Sequence, residues 1–217
     1  MAKKSDFSRG IFTRGILTGD FLPKLMPHHR QGTLDGACGF YCLSMILDYF
    51  ELCDPNKEVA DRRTRLGKYL ASLQRSSLLV KGLYERELRN VTEFFSSQGL
   101  QVEQTDASDF GQLKDFVECL SRQAVPRILR FQIDDGSKRY DHYGVTVGTD
   151  RYKIFLMDPA LDAQEGSLYN NYLCSRRRDS VWDIVKRRVI SMGPCLAIHP
   201  GSFQPSDDLV VATQLTG

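Results

Sequence analysis

From Cys38 to Phe50 apolar side chains fall at Phe40, Leu43, Met45, Ile46, Leu47, Tyr49 and Phe50. A helix that is hydrophobic almost all round has no face to give to water, so the pattern predicts a buried helix over this stretch. Asp35-Gly36, just ahead of it, supplies a cap and a sharp entry turn. Leu83, Leu88, Val91, Phe94 and Phe95 recur at helical spacing, and Gly99 ends that helix. Leu100-Gln101-Val102 then opens a strand. Phe110 to Leu120 predicts an amphipathic helix with Leu113, Phe116, Val117 and Leu120 on its apolar face. The charged stretch from Asp54 to Lys68 reads as loop and a surface helix.

In the second half the period shortens from helical to strand-like. Arg127 to Ile133 reads as a strand and Asp134-Asp135-Gly136-Ser137 as a turn. His142 to Gly148 and Tyr152 to Met157 read as two strands joined at Thr149-Asp150-Arg151. Asp179-Ser180 suits the cap of a short helix running through Ile184-Val185, and Cys195 to Ile198 looks like a last strand. Helices come first and an antiparallel sheet follows, so the expected class is α+β. Residues 1–30, with Gly10, Gly15, Gly19, Pro23 and Pro27, read as an irregular arm. Residues 31–199 form the expected folded domain, and 200–217 a loosely held tail.

Composition narrows the function classes. The 217 residues carry 29 Lys+Arg against 27 Asp+Glu, a net charge of +2, which argues against a bulk nucleic-acid binder. No run approaches the roughly 18–20 apolar residues of a membrane span, so none is expected. The six Cys (Cys38, Cys42, Cys53, Cys119, Cys174, Cys195) show no disulfide framework, and reduced thiols are the expected state. The N-terminus lacks the continuous apolar segment of a Sec signal. The expected location is the cytoplasm, or export by a specialised secretion system that needs no Sec signal. His28, His29, Cys38 and Cys42 have no metal-ligand spacing, so neither a metal nor another cofactor is expected.

Candidate chemistry starts at Cys38, where a loop meets the buried helix. Free N–H groups and the helix dipole favour an anion there, and a thiolate is the nucleophilic form of cysteine. Gly39 lets a substrate backbone approach closely. A thiolate needs a base and proton carrier. His142 stands at the head of a predicted strand, which fixes an imidazole better than a loop does. That ring wants an acceptor on its far nitrogen. Asp158, followed by Pro159, ends the next strand. If the two strands form a hairpin, the head of the first lies beside the end of the second, and His142 and Asp158 become neighbours although 16 positions apart. Gln31, seven positions before Cys38, offers a side-chain amide that would join the Cys38 N–H in holding a developing oxyanion. Cys42, one helical turn past Cys38, reads as core.

These residues resemble the papain-like cysteine peptidases, and within them the bacteriocin-processing peptidases that cut after double-glycine leaders. The resemblance rests on Gln31…Cys38-Gly39, Met45-Ile46-Leu47, His142-Tyr143 with Val145 and Val147, and Asp158-Pro159. It extends loosely from Gln31 to Ile198. It implies a papain-like fold with the nucleophile on a buried helix packed against an antiparallel sheet. It further implies Cys38 as nucleophile, His142 as general base and acid, Asp158 as its orienter and Gln31 as oxyanion donor. Gly39 and Tyr143 would border the substrate. Gln31 stands one residue further from the Cys than is usual in the family, so the loop must absorb an extra residue.

The expected activity is hydrolysis of a peptide bond in a protein or peptide substrate through a thioester. The same acyl chemistry serves a glutamine deamidase or an acyl-transferase-type effector. The rival from another class is a non-catalytic peptide-binding module with an inert Cys38.

Overall fold

The structure is a computed structural model describing residues 20–30, 38–52, 63, 68–69, 72, 90, 93–97, 99–107, 110, 113–121, 125–134, 136, 138–163, 166–177, 180–186 and 188–201. Several expectations lie outside these residues: the arm before Asp20, the Gln31–Ala37 loop, most of the charged stretch after Cys53, Leu83 to Arg89 and Val91 of one helix, and the tail after Gly201.

Strand β1 (Asp20–Phe21) leads to helix α1 (Cys38–Tyr49), strand β2 (Leu100–Asp106) and helix α2 (Leu113–Ser121). Six strands follow: β3 (Arg127–Asp134), β4 (Arg139–Asp150), β5 (Lys153–Met157), β6 (Asn171–Arg177), β7 (Ser180–Asp183) and β8 (Arg188–Pro200). All the pairings between these strands are antiparallel. Helix and antiparallel sheet are mixed, as the α+β class requires.

The sheet closes on itself. Its pairings run β4-β3-β8-β7-β6-β5 and back to β4, while β1 adds to the far end of β4 and β2 to the second half of β8. Closure leaves these six strands with a neighbour on both sides, which removes the exposed edge that an open sheet must protect. Alternation along the strands then feeds two cores. Leu129, Phe131 and Ile133 of β3, Ile154 and Leu156 of β5, Leu173 and Ile190 join Phe116, Val117 and Leu120 of α2. The opposite faces, with Tyr143, Val145, Val147, Phe155 and Met157, join α1.

Helix α1 is buried as its pattern demands. Ten of its 12 residues are buried, and Leu43, Met45, Ile46 and Leu47 are wholly inaccessible. Each such side chain stabilises the fold by about 1.5–3 kcal/mol. That anchorage holds the first turn, and Cys38 with it, against the sheet.

The structure departs from the sequence reading in the second half. Ser180–Asp183 is a strand rather than the start of a capped helix, because it is held by ladders to β6 and β8. β6 has no counterpart in the sequence reading, and β8 is far longer than Cys195 to Ile198. Gly99 does end the segment before it: it takes φ +80°, and its N–H donates to Ser96 O at 3.0 Å. Residues 22–30 are irregular, with Leu22 and Met26 in the α1 core and Leu22 N–H bonded to Val147 O.

Candidate active site

Cys38 is the first residue of α1 and is 2% exposed. The first turn of α1 carries no acidic residue. Gly39 is buried beside it. The Gln31 loop lies outside the described residues.

β4 and β5 form a tight hairpin. Asp150 pairs with Lys153 across the two-residue turn Arg151-Tyr152, and Val145 pairs with Met157 at the far end. His142 therefore lies just beyond the paired region on β4, and Asp158 just beyond it on β5. Their side chains meet: His142 Nε2 is 2.9 Å from Asp158 Oδ1. Both are buried, at 7% and 1% exposed. Cys38 lies near enough to His142 to add to its proton affinity. With Nε2 occupied by Asp158, Nδ1 is the nitrogen left for sulfur. Phe131 packs edge-on against the imidazole at 5.1 Å between ring centroids and limits its tilt.

Burial alone would lower the proton affinity of His142. The charge of Asp158 and its hydrogen bond, with Cys38 behind them, outweigh that and raise it well above the usual imidazole range. Burial alone would raise Asp158. His142, the Ala160 N–H and the Asn171 amide reverse this and hold the carboxyl below its ordinary value. Each partner thus favours the charged form of the other.

Cys42, one turn further along α1, behaves as core: burial first, then Cys38 and Asp158, push its thiol well up. Tyr143 points to the opposite face of β4 from His142. It is 1% exposed in the α1 core, so its ring lies beneath the site rather than at its surface. His28 and His29 do not converge on Cys38: His28 Nε2 is 3.3 Å from the Asp158 carbonyl, and His29 Nε2 is 2.9 Å from Asp48 Oδ2. Among the described residues no group of three or more His, Cys, Asp or Glu is placed to hold a metal ion. No described helix is long and apolar enough to cross a membrane.

Among solved structures, the chain is similar to a Bacillus anthracis protein described as a "putative C39-like peptidase". The two are 14% identical, with a TM-score of 0.47 over 82% of this chain and 97% of that one. No protein-family model and no curated protein matches the chain.

The sequence reading missed two asparagines. Asn170 accepts the Asp158 N–H at 2.6 Å through Oδ1 and donates to the Asp158 and Leu161 carbonyls through Nδ2. Asn171 donates through Nδ2 to Asp158 Oδ2 at 3.1 Å. Both sit where the chain returns from the loop after Asp158 into β6. They carry no apolar period, and nothing local in the sequence ties them to a carboxylate 12 and 13 residues earlier.

Proposed function

We propose that the protein is a cysteine peptidase of papain-like arrangement working through Cys38, His142 and Asp158. The observation that carries the reading is the buried His142–Asp158 contact of 2.9 Å, with Cys38 near enough to the same imidazole to add to its proton affinity. On this reading nucleophile, base and orienter act in series.

For attack, the thiol proton passes to His142 Nδ1, giving a thiolate–imidazolium pair. The thiolate attacks the scissile carbonyl carbon, forming a C–S bond and placing negative charge on the oxygen. N–H groups at the start of α1 are directed to hold that charge, and Gln31 is the side-chain donor assigned to assist them. Collapse breaks the C–N bond, and His142 gives its proton to the leaving amine. Water then attacks the thioester as His142 takes its proton. The C–S bond breaks, the acid product leaves, and thiolate and imidazolium are restored. Asp158 keeps its charge throughout; its part is to hold the ring and stabilise the imidazolium.

Incubating candidate proteins with wild type and Cys38→Ala, followed by mass spectrometry of the products, tests this. Cleaved chains made by wild type alone are the expected result. Gln converted to Glu in intact chains would transfer the same centre to deamidation. No product, together with alkylation of Cys38 no faster than of the remaining thiols, would leave a binding module.

A further inference from the structure

The Asp158 carboxylate has two oxygens and almost no water. Oδ1 accepts from His142 Nε2 and from the Ala160 N–H, each at 2.9 Å. Oδ2 is met by Asn171 Nδ2, and Asn171 is wholly inaccessible. Which end of that amide faces Asp158 is decided by a third group. The Tyr172 N–H donates to Asn171 Oδ1 at 2.8 Å, so the oxygen is committed and the amino end must point at the carboxylate. The position is rigid as well. Asn171 opens β6 and is the ladder partner of Leu156, two residues before Asp158 on β5. Without a donor at Oδ2, burial would favour a proton on that oxygen, and a neutral acid no longer holds an imidazolium.

We propose that Asn171 is a positioning residue: it keeps the Asp158 carboxylate ionised with Oδ1 aimed at His142, and so governs the proton carrier without touching substrate. Its kinetic consequence rests on the peptidase reading above; its electrostatic consequence does not. Two variants separate them. Asn171→Asp keeps the shape and the acceptor for Tyr172 N–H but sets a second carboxyl oxygen about 3.1 Å from Asp158 Oδ2. Two carboxyls at that distance retain a shared proton, so one value of the pair is raised above the unfolded one. Stability contributed by a raised acid is present at low pH and lost as pH rises. The thermal penalty of Asn171→Asp against wild type should therefore be smaller at pH 5 than at pH 8. Asn171→Ala removes the donor without adding charge. Its kcat should fall about ten-fold or more with KM unchanged, the loss expected of one charge-assisted hydrogen bond. The acid limb of its pH–rate profile should move up.

Melting curves of Asn171→Asp that run parallel to wild type across pH 5–8 would overturn the contact with Asp158. A folded Asn171→Ala with wild-type kcat and an unmoved pH profile would overturn the positioning role. If wild type itself turns over no substrate, the peptidase reading falls, and the stability series on Asn171→Asp still decides whether the amide holds the carboxylate. Should Asn171→Asp fold at pH 5 but not at pH 8, that is the expected sign.

Discussion

Replacing Asp158 by Asn tests the ion pair on which the site depends. The side chain keeps its shape, so the effect is electrostatic rather than steric. The carboxylate of Asp158 accepts three hydrogen bonds, from His142 Nε2, Ala160 N–H and Asn171 Nδ2. An amide offers one acceptor oxygen and one NH₂, so at least one of these donors is left facing another donor. The cheaper orientation turns the NH₂ toward Asn171 and forfeits that bond, a loss of about 1.5–3 kcal/mol for a bond to a charged group. The bonds to His142 and Ala160 persist but lose their charge assistance, roughly half their strength. Relief of the buried charge returns part of this. The net expectation is a loss of roughly 2–4 kcal/mol, or a Tm lower by about 5–15 °C for a chain of this size. The pH dependence has a definite sign. The depressed Asp158 contributes stability above its unfolded value of about 3.9, lost as pH falls through the folded value. The raised His142 contributes stability fully present below about 6.5 and lost as pH rises through its folded value. The gap between wild type and Asp158→Asn should thus be widest near pH 5–6.5 and narrow on both sides. Urea unfolding across pH 4–10 measures it. A gap that is absent, or that stays constant with pH, would refute the ion pair. In the same variant kcat/KM should fall by about 10²-fold or more, as expected when a general base is no longer held.

Two further predictions use other parts of the fold. Burial pushes the Cys42 thiol well up and that of Cys195 to about 12, and both are inaccessible. Timed iodoacetamide treatment of the folded protein, read by peptide mass spectrometry, should therefore leave these two until unfolding, and on the peptidase reading Cys38 should react before them. Cys42 alkylated as fast as Cys38 would contradict this. Asp183 is wholly buried, with Oδ2 accepting from Arg188 Nε at 3.2 Å and Nη2 at 3.1 Å, and Oδ1 from the Lys186 N–H at 3.1 Å. Arg188→Ala strands that carboxylate and should cost roughly 3 kcal/mol in urea unfolding, partly recovered by adding Asp183→Asn; a cost below about 1 kcal/mol would show that the pair contributes little.

What the sequence discloses about this molecule follows the range of the interactions that build it. Helix α1 was legible because its burial is written in consecutive residues; any fold must hide a segment with no polar face. The meeting of His142 and Asp158 was legible for a similar reason. A hairpin needs only two alternating runs and a short turn, and its geometry places the head of one strand beside the end of the other. β6 and β7 were not legible. Asn171–Arg177 offers Leu173 as its one wholly buried aliphatic, and Ser180–Asp183 begins with a residue type that caps helices. Their strand character comes from ladders to β5, β6 and β8, partners from different parts of the chain that close the ring. The same division runs through the candidate site. Cys38, His142 and Asp158 occupy places that local order marks: a helix start, a strand that begins at Arg139 rather than at His142 itself, and the residue after a strand end. Asn170 and Asn171 reach Asp158 because β6 returns along β5 after a long loop. Strand alternation also separates His142 from Tyr143, since neighbours on β4 face opposite sides: once the imidazole turns toward Asp158, the phenol must turn under α1. The groups that perform chemistry in the proposed reaction are thus marked by chain order, whereas those that set their charge and aim are delivered by the return of β6 along β5.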